Sequence, residues 1–261
     1  MTRLAPAVFA LSVLAASHSL LAAVPTDPKY APYQQWYATK LGLPTAWDHS
    51  TGSSSVKVAI LDTGVMTTTS DLAGRLLPQL SATGTAPFND STLSSTANLH
   101  HGTWVASVAG MGINNGVGGT GVGNFTILPI TITNSNGNNS SDWIAAGIRL
   151  AADQGAKVIN VSHSTLNYGT LDAAAAYARA KGALTFVAAG NNDSRQNIVD
   201  YANLIFVSGT DQNDNRWDSG TYGSSWGPHV DLAAPSVDML IADGGDSYLL
   251  HQGTSFAAPL A

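Results

Sequence analysis

The chain contains no cysteine and few charged side chains. The missing thiols exclude disulfide bonds, cysteine nucleophiles, thiolate metal sites and a lipid-modified N-terminal cysteine. Eleven Lys and Arg stand against seventeen Asp and Glu, and no basic stretch is present to bind nucleic acid or an anionic membrane surface. We therefore expect no nucleic-acid partner. Stability has to come from burying a sequence that is 44% hydrophobic, with at most a bound ion to help.

The first 23 residues differ from the rest of the chain. Arg3 gives a short basic start, residues 4–16 are apolar, and small residues follow. This pattern is typical of a secretory signal peptide, so residues 1–23 predict an exported, extracellular protein. An uncleaved membrane anchor is the alternative, because the apolar character continues to Val24. Either way, we expect membrane contact only through this segment.

The remainder, residues 24–261, has the pattern of one α/β domain. Short apolar runs that end in turn residues predict five buried strands, at 56–61, 127–132, 157–161, 184–188 and 204–207. Helical segments are predicted between several of them: Asp142 can cap a helix that ends near Gly155, and residues 171–181 are expected to form a second helix. The proline-rich, aromatic residues 27–37 are expected to cross the surface without regular structure. The alternation predicts a mostly parallel central sheet with helices on both faces.

Polar side chains stand where several of these segments begin or end. Asp62 and Asn191 follow predicted strands, whereas His101 and Ser255 begin predicted helices. Each alone also fits a structural role, as a turn or capping residue. Together they supply a carboxylate, an amide donor, a base and a nucleophile, which is the equipment of acyl transfer. The helix dipole at His101 favours a neutral imidazole that can accept a proton.

The chain resembles the catalytic domain of the subtilisin-like serine proteases, the subtilases or peptidase family S8. The matching stretches, in order, are VAILDTGV at 58–65, HGTWVA at 101–106, VINVS at 158–162, AAGN at 188–191 and GTSFAAP at 253–259. The order Asp, His, Ser is the one known for subtilisin. The resemblance implies a subtilisin-like fold and a secreted serine endopeptidase that acts on proteins or peptides, needs no cofactor for its chemistry and is a monomer.

The same resemblance assigns roles to four residues. It implies that Ser255 attacks the scissile carbonyl and that His101 acts as general base and then general acid. Asp62 would orient His101, and Asn191 would donate a hydrogen bond to the oxyanion. These roles come from the motifs of the family, because the residue types alone also fit structural roles.

Further site residues are implied by the resemblance. Asp71 and Asn115 resemble ligands of a structural calcium ion in the family, and carboxylate and amide oxygens suit Ca²⁺. A cap and a turn are the alternatives for them. Ser162, His163 and Ser164 occupy the substrate-binding stretch, where the family has a hydrophobic residue and two glycines after the serine. Side chains in place of glycine predict a narrowed or rearranged substrate cleft.

Two other functions compete with proteolysis. An inert, peptide-binding member of the fold is suggested by the unusual His163 and Ser164, and by the six residues that follow Ser255 where the family has a long helix. Because so short a helix is marginal, we expect the natural protein to continue beyond Ala261. An esterase is the second alternative, but Ser255 lacks the Gly-x-Ser-x-Gly pattern of such enzymes.

Overall fold

The fold is known from a computed structural model, which describes residues 24–87, 99–165 and 167–261. The predicted signal peptide, residues 1–23, lies outside the described residues. Among the helices in the described part of the chain, none is long and apolar enough to cross a membrane.

A seven-stranded parallel sheet occupies the centre of the described structure, with strand order β2-β3-β1-β4-β5-β6-β7. Its strands are β1 Lys57–Asp62, β2 Leu80–Ser81, β3 Thr126–Thr131, β4 Val158–Val161, β5 Leu184–Ala188, β6 Leu204–Thr210 and β7 Val230–Pro235. Two further strands, β8 Met239–Ala242 and β9 Tyr248–His251, pair antiparallel. The predicted α/β class and mostly parallel sheet are confirmed.

The helices are α1 Gln35–Lys40, α2 Leu43–His49, α3 His101–Gly110, α4 Ser141–Asp153, α5 Tyr168–Ala180 and α6 Thr254–Ala257. Helix α4 begins after Ser140, whose side chain accepts a hydrogen bond from the backbone N–H of Trp143. The prediction that Asp142 is the cap was therefore wrong by two residues. Asp142 lies in the first turn instead, where a negative charge suits the helix dipole.

The expectation that residues 27–37 lack regular structure was also wrong. A π-helical turn, Tyr30–Gln34, leads directly into α1. Tyr30 and Tyr37 are both buried, two helical turns apart on one face. The side chain of Gln34 bonds both the N–H and the carbonyl of Thr120. Tertiary burial thus gives this segment a helical form that its local composition did not predict.

The two faces of the sheet are covered by different helices, as β1 illustrates. Val58 and Ile60 point to one face and pack in a core with residues of α3, whereas Ala59 and Leu61 point to the other and pack with α4 and α5. Successive strand residues alternate between faces, so a continuous apolar run is needed to fill both cores. Each large side chain buried in this way contributes about 1.5–3 kcal/mol.

The carboxyl ends of the parallel strands lie along one edge of the sheet. Leu61 of β1 is opposite Val161 of β4, so the residues that come after these two strands emerge side by side. Open α/β sheets place their ligand sites beyond this edge. The edge therefore brings together residues that are about 100 positions apart in the sequence.

Candidate active site

A buried carboxylate and a histidine form the centre of the site. Asp62 ends β1 and is fully buried, while His101 begins α3. Nδ1 of His101 lies 2.9 and 3.0 Å from the two carboxylate oxygens of Asp62. With Nδ1 engaged in this way, Nε2 is the nitrogen left to exchange a proton with a substrate or a nucleophile.

Three contacts hold this pair in place. The hydroxyl of Thr63 donates to the carbonyl of Leu99 and accepts from the N–H of Gly102. The hydroxyl of Thr103 accepts from the N–H of Met66. A Cβ on Gly102 would stand 2.2 Å from the carbonyl oxygen of Gly64, so only glycine permits this approach of α3 to the loop after β1.

The neighbouring histidine has a different partner. Nδ1 of His100 lies 2.8 Å from Asp243, and the indole N–H of Trp104 donates to the same carboxylate oxygen. Of the two adjacent histidines, His101 is thus the one that contacts the carboxylate at the end of β1.

A second histidine contacts Asp62, which the sequence did not lead us to expect. Nε2 of His163 lies 3.1 Å from Oδ1 of Asp62, and the two imidazole rings are 5.2 Å apart. Burial acts to raise the pKa of Asp62, but His101 and His163 outweigh it and hold this pKa well below its usual range. Burial acts to lower the pKa of His163, but the Asp62 carboxylate reverses that effect and raises it. Asp62 is therefore ionised at neutral pH.

The predicted nucleophile lies beside this group on the short helix α6. Ser255 is 8% exposed, and the ring of Phe256 is 6.2 Å from that of His101. Among the hydrogen bonds of the described residues, the Ser255 hydroxyl donates to the carbonyl of Ser162, at 3.2 Å, and not to His101. The Ser162 hydroxyl donates in return to the Ser255 carbonyl, at 2.8 Å. Catalytic hydrogen bonds are often long or misaligned before substrate binds.

Asn191 is fixed beside the same helix. Its Oδ1 accepts hydrogen bonds from both the backbone N–H and the hydroxyl of Thr254, at 2.9 and 2.8 Å. Because a backbone N–H cannot donate to an amide nitrogen, these bonds assign the orientation of the side chain. Nδ2 is then the end turned away from Thr254, and it is a donor 3.4 Å from where a Cβ on Gly253 would lie.

The three residues predicted to bind substrate, Ser162, His163 and Ser164, have different surroundings. Ser162 is buried and bonded as described, and His163 turns toward Asp62. Ser164 lines a cavity of about 420 Å³ with Thr165 and residues 139–141. A second cavity, of about 310 Å³, is lined by His101, His163, Trp104 and residues 136–138. Both cavities are rich in amide and hydroxyl groups.

The two residues predicted to hold calcium contact each other. The amide Nδ2 of Asn115 donates to Asp71, and Asn115 Oδ1 accepts from the N–H of Val117. The Asp71 carboxylate also accepts from the backbone N–H groups of Gly112 and Gly119. Burial is the main influence on Asp71 and raises its pKa. In this arrangement the amide presents nitrogen rather than oxygen, so the two residues do not form a cation site as they stand.

Three residues make contacts at the site that the sequence did not predict. Thr254 orients Asn191, Thr63 joins β1 to α3, and His163 contacts Asp62 rather than only the substrate cleft. Thr254 lies within the GTSFAAP stretch, which was the available signal. A histidine in place of an apolar residue was the signal for His163, but its partner depends on the register of β1 and β4.

Comparison with known proteins gives one consistent result. A family model described as the Subtilase family matches residues 53–261. Thermitase from Thermoactinomyces vulgaris is 37% identical over 239 residues, which cover 90% of this chain and 81% of thermitase. The "Thermophilic serine proteinase" of Bacillus sp. (strain AK1) is 36% identical over 243 residues, covering 90% of this chain and 57% of that protein. A solved structure titled "Proteases from Pseudoalteromonas arctica PAMC 21717" superposes with a TM-score of 0.73 and 29% identity, over 91% of this chain and 84% of that one.

Proposed function

The chain belongs to the subtilase family of serine-type endopeptidases, and from this premise we propose that it hydrolyses peptide bonds through Asp62, His101 and Ser255, with Asn191 as oxyanion donor. The observation that carries the proposal is the bond between His101 and the buried carboxylate of Asp62, beside helix α6, which carries Ser255. The HGTWVA motif already points to His101, and this contact supports that choice over His100, whose partner is Asp243.

The proposed mechanism uses the two nitrogens of His101 differently. In the neutral ring Nδ1–H donates to ionised Asp62, and the free Nε2 can take the proton of the Ser255 hydroxyl as its oxygen attacks the substrate carbonyl. The imidazolium that forms is stabilised by the carboxylate, which is shielded from water. His101 then returns the proton to the leaving amine, and a water molecule releases the acyl group by the same route.

The oxyanion of the tetrahedral intermediate needs donors that are already in position. Asn191 offers Nδ2, because Thr254 occupies its other end. This donor is fixed before substrate arrives, so no reorganisation is required when negative charge develops. Thr254 therefore has a positioning role in the proposal, one residue before the nucleophile.

Replacing Asn191 by alanine is expected to lower kcat by about 100-fold to 1000-fold and to change KM little, since the lost bond is made mainly in the transition state. This magnitude is the one known for the corresponding donor in subtilisin. Steady-state hydrolysis of a fluorogenic peptide measures it. Asn192→Ala removes the neighbouring amide as a control. Equal losses in the two variants would contradict the assigned role.

Substrates are proteins or peptides, as for any endopeptidase, and we propose that they lie along the two cavities that Ser164 and His163 line. Ser164 lines the larger cavity, whose amide and hydroxyl groups are suited to hydrogen bonding with an extended peptide. The inert peptide-binding member of the fold is the competing function. Casein hydrolysis that requires Ser255 excludes it, whereas peptide binding without turnover would establish it.

We propose that Asp71 and Asn115 bind a calcium ion. For this the amide of Asn115 has to turn over, so that its oxygen rather than its nitrogen faces the ion. We expect Ca²⁺ to raise the melting temperature of the wild type by binding the folded state, and Asp71→Asn to remove that gain. Differential scanning calorimetry with calcium and with a chelator measures both. If the wild type melted at the same temperature with calcium and with chelator, Asp71 and Asn115 would not bind calcium, and their hydrogen bonds would serve only the structure of the loop.

Export is proposed from the N-terminal pattern alone. A protein cleaved near residue 23 is expected in the medium of the producing cell, and N-terminal sequencing of that protein identifies the cleavage point. A product that stays in the membrane fraction with residues 1–23 attached would favour the anchor instead.

A further inference from the structure

Three metal-ligating groups meet at the end of β1. Within the described residues, Asp62, His101 and His163 each offer one ligand atom, and these atoms lie within 4.8 Å of one another. Nδ1 of His101 and Nε2 of His163 approach the same oxygen of Asp62, at 2.9 and 3.1 Å. The proposed peptidase mechanism uses only two of the three, which leaves His163 without an assigned purpose in the chemistry.

Two imidazoles and one carboxylate form a ligand set that suits zinc. Zn–N and Zn–O bonds are about 2.0–2.2 Å long, so donors in tetrahedral zinc sites lie about 3.3 Å apart. The two nitrogens therefore already stand close to the required distance from the Asp62 oxygen. The three ligand atoms lie within 4.8 Å of one another, so an ion placed between them requires only a limited movement of the two rings. Because the chain has no cysteine, no thiolate competes for the metal.

The site is open on one side. The His101 and His163 side chains are 22% and 16% exposed, whereas Asp62 is 1% exposed. Both histidines line the cavity of about 310 Å³, through which an ion can enter and a water molecule can supply a fourth ligand. Asn139 stands 3.2 Å from Nδ1 of His163. With its amide turned over, it would accept the Nδ1–H that a zinc-bound His163 carries.

We propose that Asp62, His101 and His163 bind Zn²⁺ and that the ion, given the catalytic role proposed for His101, acts as a reversible inhibitor. Zinc on Nδ1 of His101 displaces the proton from that nitrogen, and Nε2 takes up a proton from solvent in exchange. A neutral His163 likewise gives up the proton on Nε2 and takes one from solvent on Nδ1, so neither neutral ring changes its charge. His101 then presents Nε2–H toward Ser255 and can no longer accept the serine proton.

Binding is tested on the full chain carrying Ser255→Ala, which does not digest itself and needs no activity for the measurement. Calorimetric titration with ZnCl₂ is expected to show one ion per chain. Adding His163→Leu or His163→Gln is expected to weaken the affinity at least about 10-fold, since loss of even an indirect metal contact has that effect. Two replacements are used in case one variant fails to fold. Circular dichroism shows whether each variant is folded. His251→Gln removes another exposed histidine near Phe256 and is expected to leave zinc affinity unchanged.

Inhibition is tested on the chain with Ser255 intact. Zn²⁺ is expected to stop peptide hydrolysis, a zinc-selective chelator to restore it, and either His163 variant to need at least about 10-fold more zinc for half inhibition. If both His163 variants bound zinc as tightly as the protein with His163, the proposed zinc site would be wrong. Binding through His163 without inhibition would overturn the inhibitory role. Failure of the proposed peptidase function is distinct from both, because it appears as no hydrolysis before zinc is added.

Discussion

Ser255→Ala lowers peptide hydrolysis by about 10⁶-fold in kcat and leaves the protein folded. This is the scale known for removal of the nucleophile in subtilisin. The physical reason is that alanine supplies no oxygen for the acyl bond, so only the remaining donors and substrate binding contribute to the rate. The hydroxyl also bonds the carbonyl of Ser162. Losing that single bond costs about 1 kcal/mol, which a folded domain tolerates. Initial rates with a fluorogenic peptide measure the change in activity.

The matched control for this prediction is Ser55→Ala, in an exposed loop before β1. It removes the same atom at a position remote from His101 and is expected to keep the wild-type rate. Circular dichroism and melting temperature show whether both variants are folded. If folded Ser255→Ala retained more than about one hundredth of the wild-type kcat, another group would have to be the nucleophile.

Asp62→Asn is expected to reduce kcat by about 10⁴-fold, the size seen when this carboxylate is replaced in other serine proteases. The amide is nearly the same size as the carboxylate but carries no charge to stabilise the imidazolium. It also presents an NH₂ group that favours the tautomer of His101 with its proton on Nε2, which cannot accept a proton from Ser255. The loss should fall on kcat, since Asp62 is buried and does not contact substrate.

Because Asp62 also accepts hydrogen bonds from Thr63 and His163, the variant needs a test of folding. Its melting temperature is compared with that of Asp200→Asn, which changes an exposed carboxylate by the same atom. A folded Asp62→Asn variant with kcat within about tenfold of wild type would mean that His101 is oriented by something other than this carboxylate.

Much of the architecture could be predicted because local patterns and tertiary structure agree. The apolar runs that became β1, β3, β4, β5 and β6 each end at a residue that turns out to lie at the carboxyl edge of the sheet. Asp62 and Asn191 were placed at that edge from the sequence, and His101 and Ser255 at helix starts. In the structure Asp62 ends β1, Asn191 lies three residues after β5, His101 begins α3 and Ser255 is the second residue of α6, and their catalytic roles stay predictions.

Other features depend on contacts that no local pattern contains. His163 meets Asp62 because β1 and β4 pair with Leu61 opposite Val161, a register set by the whole sheet. The helical form of residues 30–40 depends on burial of Tyr30 and Tyr37 against the domain. Composition alone, with proline and aromatic residues mixed, favours no particular conformation there. Long-range packing therefore determines both the helical form of residues 30–40 and the contact of His163 with Asp62.

The central claim is that Ser255, activated by His101 and Asp62, is the nucleophile of a peptidase. Its most direct test is to treat the folded protein with a fluorophosphonate, which reacts with activated serines, and to locate the adduct by mass spectrometry of the digested chain. We predict one adduct, on Ser255, that disappears when the protein is unfolded before treatment. A folded protein that takes up no label, or carries the label on another serine, would contradict this claim.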